Sequence, residues 1–268
     1  MSKLKPIKTF RDLLSFLTII PVGGKEDFVL TSAEHLYLFP LIGGFIGLLG
    51  AAYFLASSFV ISNLMSVVGL FVQVPSNLVL QFAPAAMTVA FLLVLTGMQH
   101  FDGLVDLGNA IRVRSVHERN MVAHAWTVTY SGAFFALIVE LIVFAALSFL
   151  DPVFAFGGII AAEVAAKLAM VTIVWIGKPT HKGLGSIFLM KAKKKLNAIA
   201  YLISALIVYP FLGFIGVAVV LASIPVAFLM EEVGERVFGG VSGDMIGATN
   251  EVARATTLIV LVALVILL

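Results

Sequence analysis

The sequence predicts an all-α fold: a polytopic integral membrane helical bundle of about seven transmembrane helices, preceded by an amphipathic helix at the membrane interface. Three observations carry that expectation. Hydrophobic residues make up 61% of the chain and charged residues 12%, with a mean hydropathy of +1.10; soluble domains run roughly 45–50% apolar and about 25% charged. No Asp, Glu, Lys or Arg occurs between Glu34 and Asp102, or between Lys195 and Glu231. Every Lys and Arg except Lys167 falls within residues 3–25, 100–126, 178–195 or 231–254. Residues 1–268 read as a single membrane-embedded domain. With no cysteine, disulfide, thiolate and Cys-ligated metal chemistry are excluded.

Taken in order, residues 3–25 set Lys3, Lys5, Lys8, Arg11 and Lys25 around an apolar stretch, 13–21, that is too short to span. That pattern gives the interfacial helix. The first span covers about 36–60, where Gly43 and Gly47 stand at the small-xxx-small spacing that lets membrane helices approach closely. A connector at 62–77, broken by Pro75, leads to a second span at 79–99. Spans follow at 130–150 and 153–177, joined through Asp151 and Pro152. Residues 196–230 are long enough for two short spans turning near Pro210 and Gly213, and the last span covers 255–268, beginning as early as Ile246. Seven spans put all four basic segments on one side, and basic segments mark the cytoplasmic face of the cell membrane.

Three of those segments carry the residues of a site. Asp102 and Asp106, four apart, share one helical face with Asn109 a turn further on. Like charges so stacked destabilise a helix unless a cation lies between them or one is protonated, and Mg²⁺ (or Mn²⁺) is held by carboxylates together with substrate phosphates. Residues 179–186, Pro-Thr-His-Lys-Gly-Leu-Gly-Ser, offer two glycines, Gly183 and Gly185, for close backbone approach to a phosphate, with charge from His181 and Lys182. Alone, that Gly-Leu-Gly is simply a turn. Residues 239–251 add Asp244 and, two turns on, Glu251. Glu163 and Lys167 form an i,i+4 ion pair inside a span, and Glu140 stands in another span with no partner legible in the sequence.

These stretches resemble the cobalamin synthase family, the adenosylcobinamide-GDP ribazoletransferases. Phe16-Leu-Thr-Ile-Ile-Pro-Val22 and Phe39-Pro-Leu-Ile-Gly43 are similar to its N-terminal motifs, and Thr96-Gly-x-x-His-Phe-Asp-Gly-Leu-Val-Asp106 to its signature. Gly183-Leu-Gly185 and Gly239-Gly-Val-Ser-Gly-Asp-x-x-Gly-Ala248 match two later motifs. Asn109 stands where many relatives carry aspartate, and Ala-Trp-Thr-Val-Thr at 125–129 where they carry Asp-Ser-Arg-x-Gly. The resemblance implies transfer of the adenosylcobinamide phosphate moiety from adenosylcobinamide-GDP to α-ribazole or its 5′-phosphate, with GMP released. It implies Mg²⁺ on Asp102, Asp106 and Asp244, with Asn109 and Glu251 assisting, and Arg112, Arg114 and Lys182 on the diphosphate. His100, Gly103, Asn109, His181, Gly183, Gly185, Ser242, Gly243 and Asn250 complete the substrate contacts. Membrane lipid is an implied partner, nucleic acid is not, and a homo-oligomer is left open. Two alternatives stand beside it. A CDP-alcohol phosphotransferase expects more aspartates, in a spacing this chain lacks. A small transporter would use Glu140, Glu163 and Lys167, yet no internal repeat supports it.

Overall fold

Inside a bilayer a backbone must satisfy its own hydrogen bonds, so long apolar runs become helices. The computed structural model describes residues 5–23, 27–113, 115–123, 127–180, 183–191 and 195–267. Among them the α-helices are α1 Lys5–Leu17, α2 Phe28–Glu34, α3 Phe39–Val68, α4 Ser76–Leu95, α5 Gln99–Ala110 and α6 Val116–Ala123. The second half holds α7 Tyr130–Phe149, α8 Pro152–Ile176, α9 Leu184–Lys191, α10 Ile199–Leu221, α11 Ser223–Phe238 and α12 Gly243–Leu267. The fold is all-α, with one isolated bridge between Pro179 and Val241.

Six helical stretches are long and apolar enough to cross a membrane, and one of them, Lys195–Phe238, is 44 residues long. It folds back on itself at Gly213, whose φ of 58° and ψ of −142° break the helix. Tyr201 shares a 2.9 Å hydrogen bond with Thr172 near the end of α8. Leu212 lies against Gly157 near the start of α8, and the chain then returns to donate Val241 N to Lys178 O at 2.7 Å. The stretch therefore passes out and back, which brings the passages to the expected seven.

α8 is the axis of the bundle. It is buried without interruption from Gly157 to Val174, enclosed by α3, α10, α11 and α12. Gly43 and Gly47 let α3 touch it: a Cβ at Gly47 would sit 2.7 Å from Ile160 Cα, and one at Gly43 2.5 Å from Glu163 O. With no hydrophobic drive between helices in lipid, such close van der Waals contact is what holds them. Large apolar side chains such as Phe59, Phe134, Leu206 and Phe214 remain exposed, the outer surface a lipid-facing bundle requires.

Several predicted boundaries are corrected. α3 continues to Val68, shrinking the 62–77 connector, and α4 stops at Leu95 rather than 99. The polar segment 231–254 is not a solvent loop: most of it lies in α11 and α12, with Glu251 and Arg254 at 0% and 1% exposure. The charges could enter the bundle because they neutralise one another there.

Candidate active site

The first motif begins with a helix stop. Gly97 and Met98 both adopt left-handed φ, 66° and 55°. Met98 N donates to Leu93 O and Gly97 N to Val94 O, the Schellman pattern that ends α4. Ile19 N donates to Leu95 O at 2.9 Å, so the Phe-Leu-Thr-Ile-Ile-Pro-Val segment braces this turn. The chain reverses into α5, which packs between α12 and α7. Gly103 faces the backbone of α12 at Asp244 and Ala248, and Gly108 faces Gly132 of α7. Gly103, expected to contact substrate, thus serves the helix crossing.

This crossing gathers the carboxylates. Asp102 is exposed, while Asp106 and Asp244 are partly buried. Burial, then Asp244, then Asp102 push the Asp106 carboxyl up to about 7. Among the described residues no Lys or Arg pairs with Asp102 or Asp106. Arg112 is exposed just beyond α5. Arg114, His181 and Lys182 lie outside the described residues.

The second and third motifs are tied together. Val241 N donates to Lys178 O and Thr180 N to Val241 O. Gly240, at φ 151°, would place a Cβ 2.7 Å from Lys178 O, and Gly185 one 2.6 Å from Gly243 N. Any side chain at either glycine would separate the segments. Gly183 N is taken by Ser186 Oγ at 3.1 Å, closing its own turn. Ser242 Oγ accepts from Met245 N at 3.2 Å and donates to Asp244 Oδ2 at 3.3 Å, fixing the start of α12. Beside these segments lies a cavity of about 340 Å³, with Gly183, Gly185, Ser242, Gly243, Asp244 and His100 in its wall. Asp244 therefore belongs to both the cavity and the carboxylate cluster.

Three predicted site residues are engaged elsewhere. Asn109 donates from Nδ2 to Thr127 O at 2.9 Å, and its Oδ1 accepts from Thr129 N and Thr129 Oγ1 at 3.0 and 2.7 Å. Its amide holds the entry to α7. Asn250 and Glu251 belong to a buried network instead. Glu163 accepts from Arg254 Nε at 2.6 Å and from Lys167 Nζ at 3.2 Å. Lys167 also donates to Asn250 Oδ1 at 2.8 Å, Asn250 Nδ2 donates to Glu251 Oε1 at 3.0 Å, and Arg254 Nη1 pairs with Glu251. Glu140 lies beside Glu251 and Arg254, which gives it the neighbours its sequence could not name. His100 connects the two regions: it lines the cavity, and its Nδ1 is 3.9 Å from Glu251 Oε1. Burial, then Lys167, then Arg254 hold its imidazole well below the usual range, so it is neutral. Arg254 was not singled out by the sequence; its i,i+3 spacing to Glu251 was the available signal.

The donors gathered at Asp102, Asp106 and Asp244 are all oxygen, the set a hard divalent cation takes. Among the described residues no three His, Cys, Asp or Glu side chains already stand close enough to hold an ion. Mg²⁺ ordinarily takes one or two carboxylates and completes its shell with water and phosphate, so the residues fit without forming a closed cage.

A family model described as cobalamin-5-phosphate synthase matches residues 9–262. The adenosylcobinamide-GDP ribazoletransferase of Methanosarcina barkeri is 28% identical over 275 residues, covering 95% of this chain and 91% of its own. The Methanocella arvoryzae protein of the same name is 30% identical, with 92% of each chain covered. That of Halorubrum lacusprofundi is 31% identical over 94% of this chain and 95% of its own. No solved structure gives a significant match.

Proposed function

The chain belongs to the cobalamin-5-phosphate synthase family, and from that premise we propose that it performs nucleotide-loop assembly, joining adenosylcobinamide-GDP to α-ribazole or its 5′-phosphate and releasing GMP. The observation that carries this reading is the double membership of Asp244, in the wall of the cavity and in the cluster with Asp102 and Asp106. In the reaction a ribose hydroxyl oxygen forms a bond to the cobinamide-bearing phosphorus. The diphosphate bond breaks, GMP leaves with the bridging oxygen, and the hydroxyl proton is lost. Such transfers are catalysed by positioning and charge neutralisation.

Asp102, Asp106 and Asp244 would hold Mg²⁺ (or Mn²⁺), which when bound supplies positive charge against the phosphates. Arg112 stands exposed at the end of α5 to meet the diphosphate, and Ser242 fixes the Asp244 carboxylate. Asn109 keeps α5 and α7 in register from behind. Purified protein in lipid nanodiscs should release GMP only with both substrates present, lose activity in EDTA and regain it with Mg²⁺ or Mn²⁺. No GMP release would remove the function; full activity in EDTA would remove the metal.

The site end also carries Arg119, Lys178, Lys191, Lys195 and Arg236, while residues 69–75, 150–151 and 213 at the other end carry no Lys or Arg. By the charge rule this end faces the cytoplasm of a cell-membrane protein. A cysteine at exposed Arg236, labelled by an impermeant reagent in intact cells, would contradict that orientation.

A further inference from the structure

The cavity has a chemical character of its own. Phe16, Phe39 and Phe188 line it, from the end of the interfacial helix, from α3 and from α9. Phe16 and Phe188 stack at a centroid distance of 5.0 Å, and Phe39 meets Phe188 edge-on at 6.0 Å. Met170, Val174 and Ile246 extend this apolar wall, and the side-chain polar groups are Gln99 and His100 of α5, Ser186 of α9, and Ser242 and Asp244 at the start of α12.

We propose that this cavity is the acceptor subsite, holding the dimethylbenzimidazole of α-ribazole against the three phenylalanines and its ribose toward Ser242 and Asp244. The proposal rests on the function proposed above. It decides which of that reaction's bulky parts enters the protein. About 340 Å³ is at the low end of the roughly 300–1,000 Å³ of small-molecule sites, room for a base with its sugar and none for a corrin with its adenosyl group. Guanine would also fit by size, but against Phe16, Phe39, Phe188 and Val174 its edge would bury several donors and acceptors unpaired, and it could pair only on the side of Gln99, Ser186, Ser242 and Asp244. Dimethylbenzimidazole presents methylated carbon edges and one free ring nitrogen, so its burial leaves almost nothing unpaired. Flat aromatic faces favour it further. The acceptor then sits in the cavity, and the larger donor reaches its phosphorus from the exposed side, where Asp102 and Arg112 lie.

The test separates the two substrates. α-Ribazole alone should bind wild-type protein in EDTA, measured by titration calorimetry in nanodiscs, because the subsite needs neither metal nor donor. Phe188→Leu should weaken that binding and raise the KM for α-ribazole about tenfold, the scale of a lost base–aromatic stack. The KM for adenosylcobinamide-GDP should stay within about twofold. Phe16→Leu, on a different element, carries the same test if Phe188→Leu does not fold. Tyr53→Leu, which breaks the Tyr53–Phe91 stack elsewhere in the bundle, should change neither KM. No α-ribazole binding in EDTA, a rise in the donor KM instead, or competition by GMP against bound α-ribazole would overturn the subsite. Absence of GMP release from wild type would instead overturn the function, whatever the binding result.

Discussion

Two clusters of acids lie within a few turns of each other on α5, α8 and α12, and they behave oppositely. Around Glu163 and Glu251 the protein supplies its own cations: Lys167 and Arg254 are buried with them and hydrogen-bonded to them. Asp102 and Asp106 pair with no Lys or Arg among the described residues, and burial, with Asp244 and Asp102 nearby, leaves Asp106 holding a proton near neutrality. A closed network is complete when the chain folds. In an open one, like charges still repel one another. Of the intramembrane charges that suggested a transporter, Glu163 and Lys167 are on the closed side, tied across α8 and α12, and Glu140 of α7 lies beside them.

That contrast can be broken most severely from the closed side. Glu163→Gln strands Lys167 and Arg254 with half their compensation, and breaking a buried pair typically costs about 3–5 kcal/mol. Thermal unfolding in nanodiscs should show a large loss, while the folded fraction keeps measurable GMP release. A stable Glu163→Gln protein would mean that the network carries little of the fold.

From the open side, Asp106→Asn and Asp244→Asn should lower GMP release by roughly 10²–10³-fold or more, the scale of removing a group that stabilises transition-state charge. Both variants should stay folded and inserted. Near-normal rates would reduce the aspartates to solvated surface charges.

The smallest effect is in pH. Asp106 titrates at about 7 in the folded protein, against an ordinary aspartate value of 3.8. Between those values the folded state holds a proton that the unfolded state has lost. Stability of the metal-free protein should therefore fall as pH rises from about 4 to 7 and level off above. Asp106→Asn should flatten that limb; an unchanged pH profile would show the cluster to be open and screened.

Much of the fold was legible because hydropathy and charge segregation are one-dimensional signals. The seven passages, the Glu163–Lys167 pair and the reversal at Gly213 could all be read from runs and spacings. What the sequence hid was depth. Glu251 reads as a site acid two turns from Asp244, and Arg254 as the edge of a polar segment, until Glu163, 91 residues from Arg254, is seen to face them. Gly103 looks like a ligand-contacting glycine until its neighbour proves to be the α12 backbone. Asn109 looks like one more ligand on an acidic face, and only the contacts to Thr127 and Thr129 show its amide already used. Asn109 and Thr129 are hydrogen-bond partners. An aspartate at 109 could not donate to Thr127 O.

The pairing of Glu163 with Arg254 also has a consequence for how the protein is made. The ribosome adds roughly 5–20 residues per second, so on the order of 5–20 s separate the synthesis of α8 from that of its counter-ion. Over that interval α8 carries Glu163 and Lys167 balanced only by each other, and neither Arg254 nor Asn250 exists to join them. α12, made well after α8, is thus the helix that closes this network. A nascent chain halted before Arg254 lacks both that cation and the apolar half of α12, and leaves Glu163 with Lys167 as its one counter-ion in this network.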